Sequence, residues 1–175
     1  MKAAVFAGRN TKELLRDPLS VAFSLGFPIV LLLLLSAIQA NIPVSLFEIG
    51  QLAPGIAVFG LSFIALFSAT LISRDRSSAF LTRLFTSPLS PADFLLGYTL
   101  PLLPLALGQM TVSLLAALFL KLPLSLNLLA VLAVELPAAL LFIALGLLCG
   151  SVLNVKQAGG ICGALLTNLT AWLSG

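Results

Sequence analysis

No charged residue falls between Pro18 and Phe47, between Ile49 and Ser73, or between Phe94 and Leu120, and only Glu135 interrupts the run from Leu122 to Val155. After Lys156 the chain is uncharged to Gly175. A helix of about 20 apolar residues crosses a hydrocarbon core of ~30 Å, so each gap between charges is long enough for a membrane span. A water-facing surface needs roughly a quarter to a third of its residues charged. With 9% charged and 60% apolar residues, this surface must face lipid, and the mean hydropathy of +1.18 agrees. The expected fold class is an all-α polytopic membrane protein, with spans near 21–40, 52–73, 92–120 and 127–153 and a fifth begun at about 158 and running to 175. The first run, Val21 to Ala40, exceeds the h-region of a secretory signal and lacks a small-x-small cleavage site.

The short charged segments set the orientation. Lys2, Arg9, Lys12 and Arg16 precede the first span, Arg74, Arg76 and Arg83 lie between the second and third, and Lys156 lies between the fourth and fifth. Lys121 is the single basic residue of the two remaining loops. Under the positive-inside bias the N-terminus is expected in the cytoplasm. Helix starts are signalled by Asp17-Pro18-Leu19-Ser20 and Ser90-Pro91-Ala92-Asp93, each a capping side chain before proline at the first helical position. Residues 1–20 read as a short interfacial helix, with Arg9, Lys12, Glu13 and Arg16 on one face and Val5, Phe6, Leu14 and Leu15 toward lipid. A frayed basic tail is the alternative. Residues 21–175 form the transmembrane domain.

Within it, the loop 74–91 is the longest segment outside the spans on the basic side. Phe80, Leu81, Leu84 and Phe85 recur as one helical stripe, with Ser78, Thr82, Arg83 and Thr86 opposite. The spacing predicts an amphipathic helix over about 77–87, capped by Asp75 or Ser77 and ended by Ser87-Pro88. Its apolar face either rests on the bilayer and the span ends or docks a cytosolic partner.

Arg16-Asp17-Pro18-Leu19-Ser20 with Phe27-Pro28, then Ser73-Arg74-Asp75-Arg76 running through Leu81, Arg83-Leu84 and Thr86-Ser87-Pro88 to the Phe94–Leu120 run, resemble the membrane subunits of type-2 ABC exporters. These are permeases of drug, antibiotic and polysaccharide efflux systems. The resemblance spans essentially the whole chain. It implies that the short helix is a coupling helix seated in a groove of a separate ATP-hydrolysing subunit, with the N-terminal helix beside it. Carried over, the contacts are Arg74, Asp75, Arg76, Phe80, Arg83 and Leu84. It also implies a second permease copy or homologous half. The chain departs from the family where Ser77 to Thr82 replace an acidic run with Gly-Thr. Family members have six spans and a re-entrant hairpin before the last, so a chain ending at Ala171-Trp172-Leu173-Ser174-Gly175 is expected to be truncated.

Inside the spans, Glu135 is the single ionisable residue, about 12 Å along the fourth span at 1.5 Å per residue. An acid there costs roughly 2.5–3.5 kcal/mol at mid-helix, so it is either a path or contact residue or a protonated, locally paired carboxyl. Pro101, Pro104, Gly97 and Gly108 are expected to interrupt the third span, with Gln109 as a polar neighbour and the two prolines as hinge candidates. Gly146-x-x-x-Gly150 and Gly159-x-x-x-Gly163 match close-packing patterns. With no histidine, and with Cys149 and Cys162 only in apolar context, no metal centre, cofactor site or catalytic constellation is expected. No G-x-x-x-x-G-K-[ST] sequence occurs, so any ATP must be used by a partner. A non-transporting scaffold or regulatory subunit and an ion-coupled secondary transporter are the competing readings.

Overall fold

The computed structural model describes residues 2–43, 47–78, 80–87, 89–122 and 127–173, without the side chains of residues 85, 127–129 and 173. Its elements in order are α1 (Lys2–Leu15), α2 (Pro18–Gln39), α3 (Ile49–Ser77), α4 (Phe80–Phe85), α5 (Pro91–Phe119), α6 (Asn127–Val152) and α7 (Val155–Ile161), then a π-helical turn (Cys162–Leu166) and α8 (Thr167–Leu173). Among the described residues, four helices are long and apolar enough to cross a membrane: α2, α3, α5 and the Ala130–Val152 stretch of α6. These are the four expected spans. Three expectations lie outside the described residues: Pro88 as the stop of the short helix, the Phe85 side chain of its apolar stripe, and residues 174–175 at the end of the fifth span.

Local chemistry sets the ends. Asp17 caps α2, its carboxylate accepting from the Ser20 amide at 3.2 Å and the Ser20 hydroxyl at 2.8 Å. These bonds hold the Asp17 carboxyl below its ordinary range. Ser90 and Asp93 form a reciprocal capping box at the start of α5. The fifth segment begins at Val155, three residues before the expected 158. Asn154 and Gln157 form a second capping box there, an N-cap signal that the charge map does not register.

Helix α3 is the hub. It packs against α2, α5, α6 and α7 and buries small residues along its length, Ala57, Gly60, Ala65, Ser68 and Ala69 among them. In lipid the hydrophobic effect no longer drives helix to helix, so close backbone approach carries the association. At Gly146 of α6 an added Cβ would fall on the Ala65 carbonyl of α3, and at Gly150 on the Ala69 carbonyl. The first Gly-x-x-x-Gly pattern is thus a seam within one chain. The second is not: nothing lies within 4 Å of a Cβ at Gly159, and Gly163 meets only Leu66, at 3.8 Å. Cys149 and Cys162 pack in a small cluster with Ala69 and Ala158. Outward faces carry exposed Leu19, Phe23, Leu33, Leu141 and Leu148, among others, the apolar surface a bilayer requires.

Helix α5 runs unbroken through Pro101 and Pro104, which corrects the expected interruption of the third span. Pro101 faces the interior and Pro104 is exposed. Proline removes the N–H that would bond the carbonyl four residues back, and neighbouring groups can satisfy that carbonyl instead.

Candidate functional site

The charged end of the bundle gathers the end of α3, the short α4, the start of α5 and all of α1. The expectation placed residues 74–76 in a loop, but α3 continues to Ser77. Nothing breaks it before Ser78, whose extended backbone ends the helix. Asp75 falls four residues after Leu71 and three after Ile72, both buried, so it continues the inward stripe of α3. Arg74 and Arg76 on either side of it are exposed.

At 4% exposure, Asp75 is a buried carboxylate, and such a group needs partners. It has two. Arg9 of α1 donates to its Oδ2 at 2.6 Å, and the Tyr98 hydroxyl of α5 donates to the same oxygen at 2.8 Å. Partial burial of the Arg9 guanidinium works against its charge, but the hydrogen bond and charge of Asp75 outweigh that and hold its pKa above the ordinary value. Arg9 also donates to Asn10 Oδ1 at 2.8 Å and lies 4.2 Å from the centroid of the Phe80 ring of α4. One carboxylate and one guanidinium therefore tie four helices together.

An aromatic cluster backs this polar node. The Phe6 ring lies 5.0 Å from Tyr98, 6.1 Å from Phe94 and 6.2 Å from Phe80, centroid to centroid. Phe6 was expected to face lipid. Instead it is buried at the centre of the cluster, while Val5 and Leu15 of the same helix remain exposed. Gly97 makes room for it, because a Cβ there would meet the Phe6 ring.

Pro101 explains the rest of the docking. Its missing N–H frees the Gly97 carbonyl one turn back, and the Asn10 amide of α1 donates to that oxygen at 2.9 Å. Asn10 is fully buried. Asn10→Leu should therefore cost about 1–3 kcal/mol by leaving the Gly97 carbonyl unsatisfied. In a Pro101→Ala background, where the helix can bond that carbonyl itself, the same substitution should cost less. Thermal unfolding of the four proteins of that double-mutant cycle measures the difference; equal costs in both backgrounds would refute the link.

The other sequence-predicted residues are placed as follows. Phe80 and Leu84 of α4 turn inward, packing on the core that holds Phe6 and Tyr98, while Thr82 and Arg83 are exposed. Helix α4 is six residues long, shorter than the expected 77–87. Its first turn is capped by neither Asp75 nor Ser77 but by Ser78, whose hydroxyl oxygen accepts from the Phe80 amide at 3.3 Å. Arg76 donates to the Ser151 carbonyl near the end of α6. Between α1 and α4 lies an apolar groove of about 530 Å³, with Lys2, Val5, Phe6, Leu84 and Leu89 in its lining.

Gln109, Glu135, Pro101 and Pro104 are not brought to the Asp75 carboxylate. Gln109 clamps α5 to α3, its Nε2 donating to the Ala57 carbonyl at 3.2 Å, and Gly60 provides the space it occupies. Glu135 is buried on the face of α6 that also buries Ala139, Ile143 and Leu147. Its Oε1 and the Gln109 Oε1 have no hydrogen-bond partner among the described residues.

Phe6, Asn10, Gly97 and Tyr98 were missed as site residues by sequence reasoning. The signal available was a lone asparagine on an otherwise basic helix, and a glycine four residues before a proline.

No match was found among curated proteins or among solved structures. A family model described as ABC-2 type transporter matches residues 3–175, which takes in α1, the Asp75 node and all four spans. By that coverage, and with four helices fit to span a bilayer, the chain belongs to the ABC-2 type transporter family and is a multi-pass membrane transport protein.

Proposed function

We propose that this chain is the permease subunit of an ATP-binding cassette exporter, moving a drug, a lipid-linked compound or another small molecule out of the cytoplasm. ATP is hydrolysed by a separate subunit, and the working unit holds a second copy of this chain or a homologous half. The N-terminus lies in the cytoplasm and the protein in the plasma membrane. Eight of the nine basic residues on one side of the spans support that orientation. So does the meeting of α1, the Arg74–Arg83 segment and the end of α6 at one end of the bundle.

The observation that carries the proposal is the way α4 is held. Its exposed face presents Arg83, its inward face is locked through Phe80 to Arg9 and Phe6, and the apolar groove lies beside it. A partner that moves Arg83 and Leu84 moves α1 and the ends of α3 and α5 with them. In this scheme Arg83 and the groove beside it form the docking surface, Phe80 and Leu84 are the inner wall of that groove, and Asp75 is a positioning residue. Arg76 links the surface to α6, and Arg74 borders it. Glu135, buried in α6, is the polar group we assign to the transport path, with Gln109 one helix away and Pro101 and Pro104 as the hinge of α5.

An Arg83→Glu variant tests the docking. It puts negative charge where the proposed partner finds a cation on the exposed face of α4, so a P-loop ATPase purifying with the full chain should be lost about tenfold. The unfolding temperature should stay near that of the wild type. Full retention of the ATPase by the variant would place its docking away from Arg83, and a wild-type chain that purifies with no ATPase would favour a scaffold or a secondary transporter.

A further inference from the structure

A second cavity, of about 210 Å³, lies where α1, α2 and α3 meet, with Leu105 of α5 in its wall. It is far larger than the voids of a close-packed interior. Its lining divides into two kinds. Glu13, Asp17 and Arg74 are charged, whereas Leu14, Val21 and Leu105 are apolar. Asp17 is the N-cap of the first span and Arg74 stands in the last turn of the second, so the charged part sits at the ends of the spans, at headgroup level.

The charges are unevenly used. Arg9, which also borders the cavity, is paired with Asp75. Arg74 has no ion pair among the described residues, although its charge acts on Asp17. Glu13 is held by Arg16 at 3.2 Å in a pair that is largely exposed, and an exposed pair of that kind is weak. The cavity therefore brings a guanidinium on α3 that has no ion pair among the described residues together with two carboxylates, Glu13 of α1 and the α2 cap Asp17, which also accepts from Ser20, and its remaining lining includes Leu14, Val21 and Leu105.

We propose that this cavity binds a membrane phospholipid with a phosphate and a primary ammonium, a phosphatidylethanolamine, from the leaflet on the charged side. Arg74 takes the phosphate through charge-assisted hydrogen bonds. Glu13 and Asp17 take the ammonium, whose three N–H groups each donate. The first carbons of the acyl chains lie against Leu14, Val21 and Leu105. A purely anionic headgroup meets the two carboxylates unfavourably, and a quaternary choline carries a charge but no N–H to donate. The site adjoins the docking region at Arg74 and Asp75 but does not include Arg83, and it stands whether or not that docking is correct.

Native mass spectrometry of the purified full-length chain, titrated with phosphatidylethanolamine, phosphatidylcholine and phosphatidylglycerol of identical acyl chains, tests the assignment. The first phosphatidylethanolamine should bind about tenfold more tightly than either competitor, the scale of one charge-assisted contact. Arg74→Gln should weaken it about tenfold. Glu13→Gln with Asp17→Asn should abolish the preference over phosphatidylcholine, and asparagine keeps the α2 cap. Leu105→Trp, which fills the apolar part of the lining, should lower binding of all three lipids. Glycerophosphoethanolamine, the headgroup without chains, should compete only weakly. Equal binding of the three lipids by the wild type, or an unchanged preference in the double variant, would overturn the proposal. Competition by the free headgroup as strong as by the lipid would assign the cavity to a soluble phospho-amine and overturn the lipid assignment.

Discussion

Replacing Asp75 by alanine should release α1 from the bundle, at a cost of about 2–3 kcal/mol. Removing one partner of a buried ion pair costs about 3–5 kcal/mol when both charges are buried, and the figure is reduced here because the Arg9 side chain is 34% exposed. The Tyr98 hydroxyl, fully buried with its residue, loses its acceptor in the same step. Asp75→Asn keeps an oxygen for Tyr98 and loses only the charge, so it should cost about 1 kcal/mol. Limited trypsin digestion reads the difference, since Lys12 and Arg16 lie at the end of the docked helix. Cleavage there should accelerate strongly in Asp75→Ala, slightly in Asp75→Asn and not at all in Arg83→Glu. Equal cleavage of the alanine variant and the wild type would mean that the ion pair does not hold α1.

The second large effect is at the α3–α6 seam. Gly146→Val and Gly150→Val should each cost about 3 kcal/mol or more, at the upper end of overpacking penalties. The reason is geometric: the added carbon meets the carbonyls of Ala65 and Ala69, which belong to backbone and have no rotamer to change. Even alanine does not fit at either position. Matched controls exist on the same chain. A Cβ at Gly8 or Gly159 meets nothing within 4 Å, so alanine there should be neutral or stabilise by a few tenths to about 1 kcal/mol through helix propensity. Accumulation in the membrane and unfolding temperature of the four variants separate the two classes. A Gly150→Val protein as stable as Gly159→Ala would contradict the close approach of α3 and α6.

The spans were legible because charge is expensive in lipid. Every break between Asp17 and Lys156 that the charge map located is a break in the fold, and Asp17 and Ser90 cap the helices they announced. What the same reasoning obscured follows from its own rule. Treating charged residues as loop put Asp75 outside the second span, although its spacing from Leu71 and Ile72 places it on that helix's buried stripe. The burial of Asp75 depends on Arg9, 66 residues away, and no local pattern carries that pairing. Phe6 was read as lipid-facing for the same reason: an apolar residue on an amphipathic helix points to bilayer and protein alike. Its partners Phe80, Phe94 and Tyr98 come from two other helices. The two Gly-x-x-x-Gly patterns are alike as sequence, yet one meets a facing backbone and the other does not, because Gly146 and Gly150 face α3, whereas in the later segment Ala158 and Cys162, not the glycines, pack on Ala69.

The amphipathic stripe after the second span was visible, but its direction was not. Phe80 and Leu84 turn toward the core, which leaves Arg83 and the groove beside α1 as the surface offered to a partner. That surface is the centre of the proposed function, and the helix could otherwise simply rest on lipid. A photo-crosslinking residue placed at position 84 of the full chain, activated in the native membrane, distinguishes the two. The expected product is a single protein adduct whose sequence contains a P-loop, lost when Arg83→Glu is added. Adducts with phospholipid alone would contradict the docking and leave α4 as a brace between α1 and the ends of the spans.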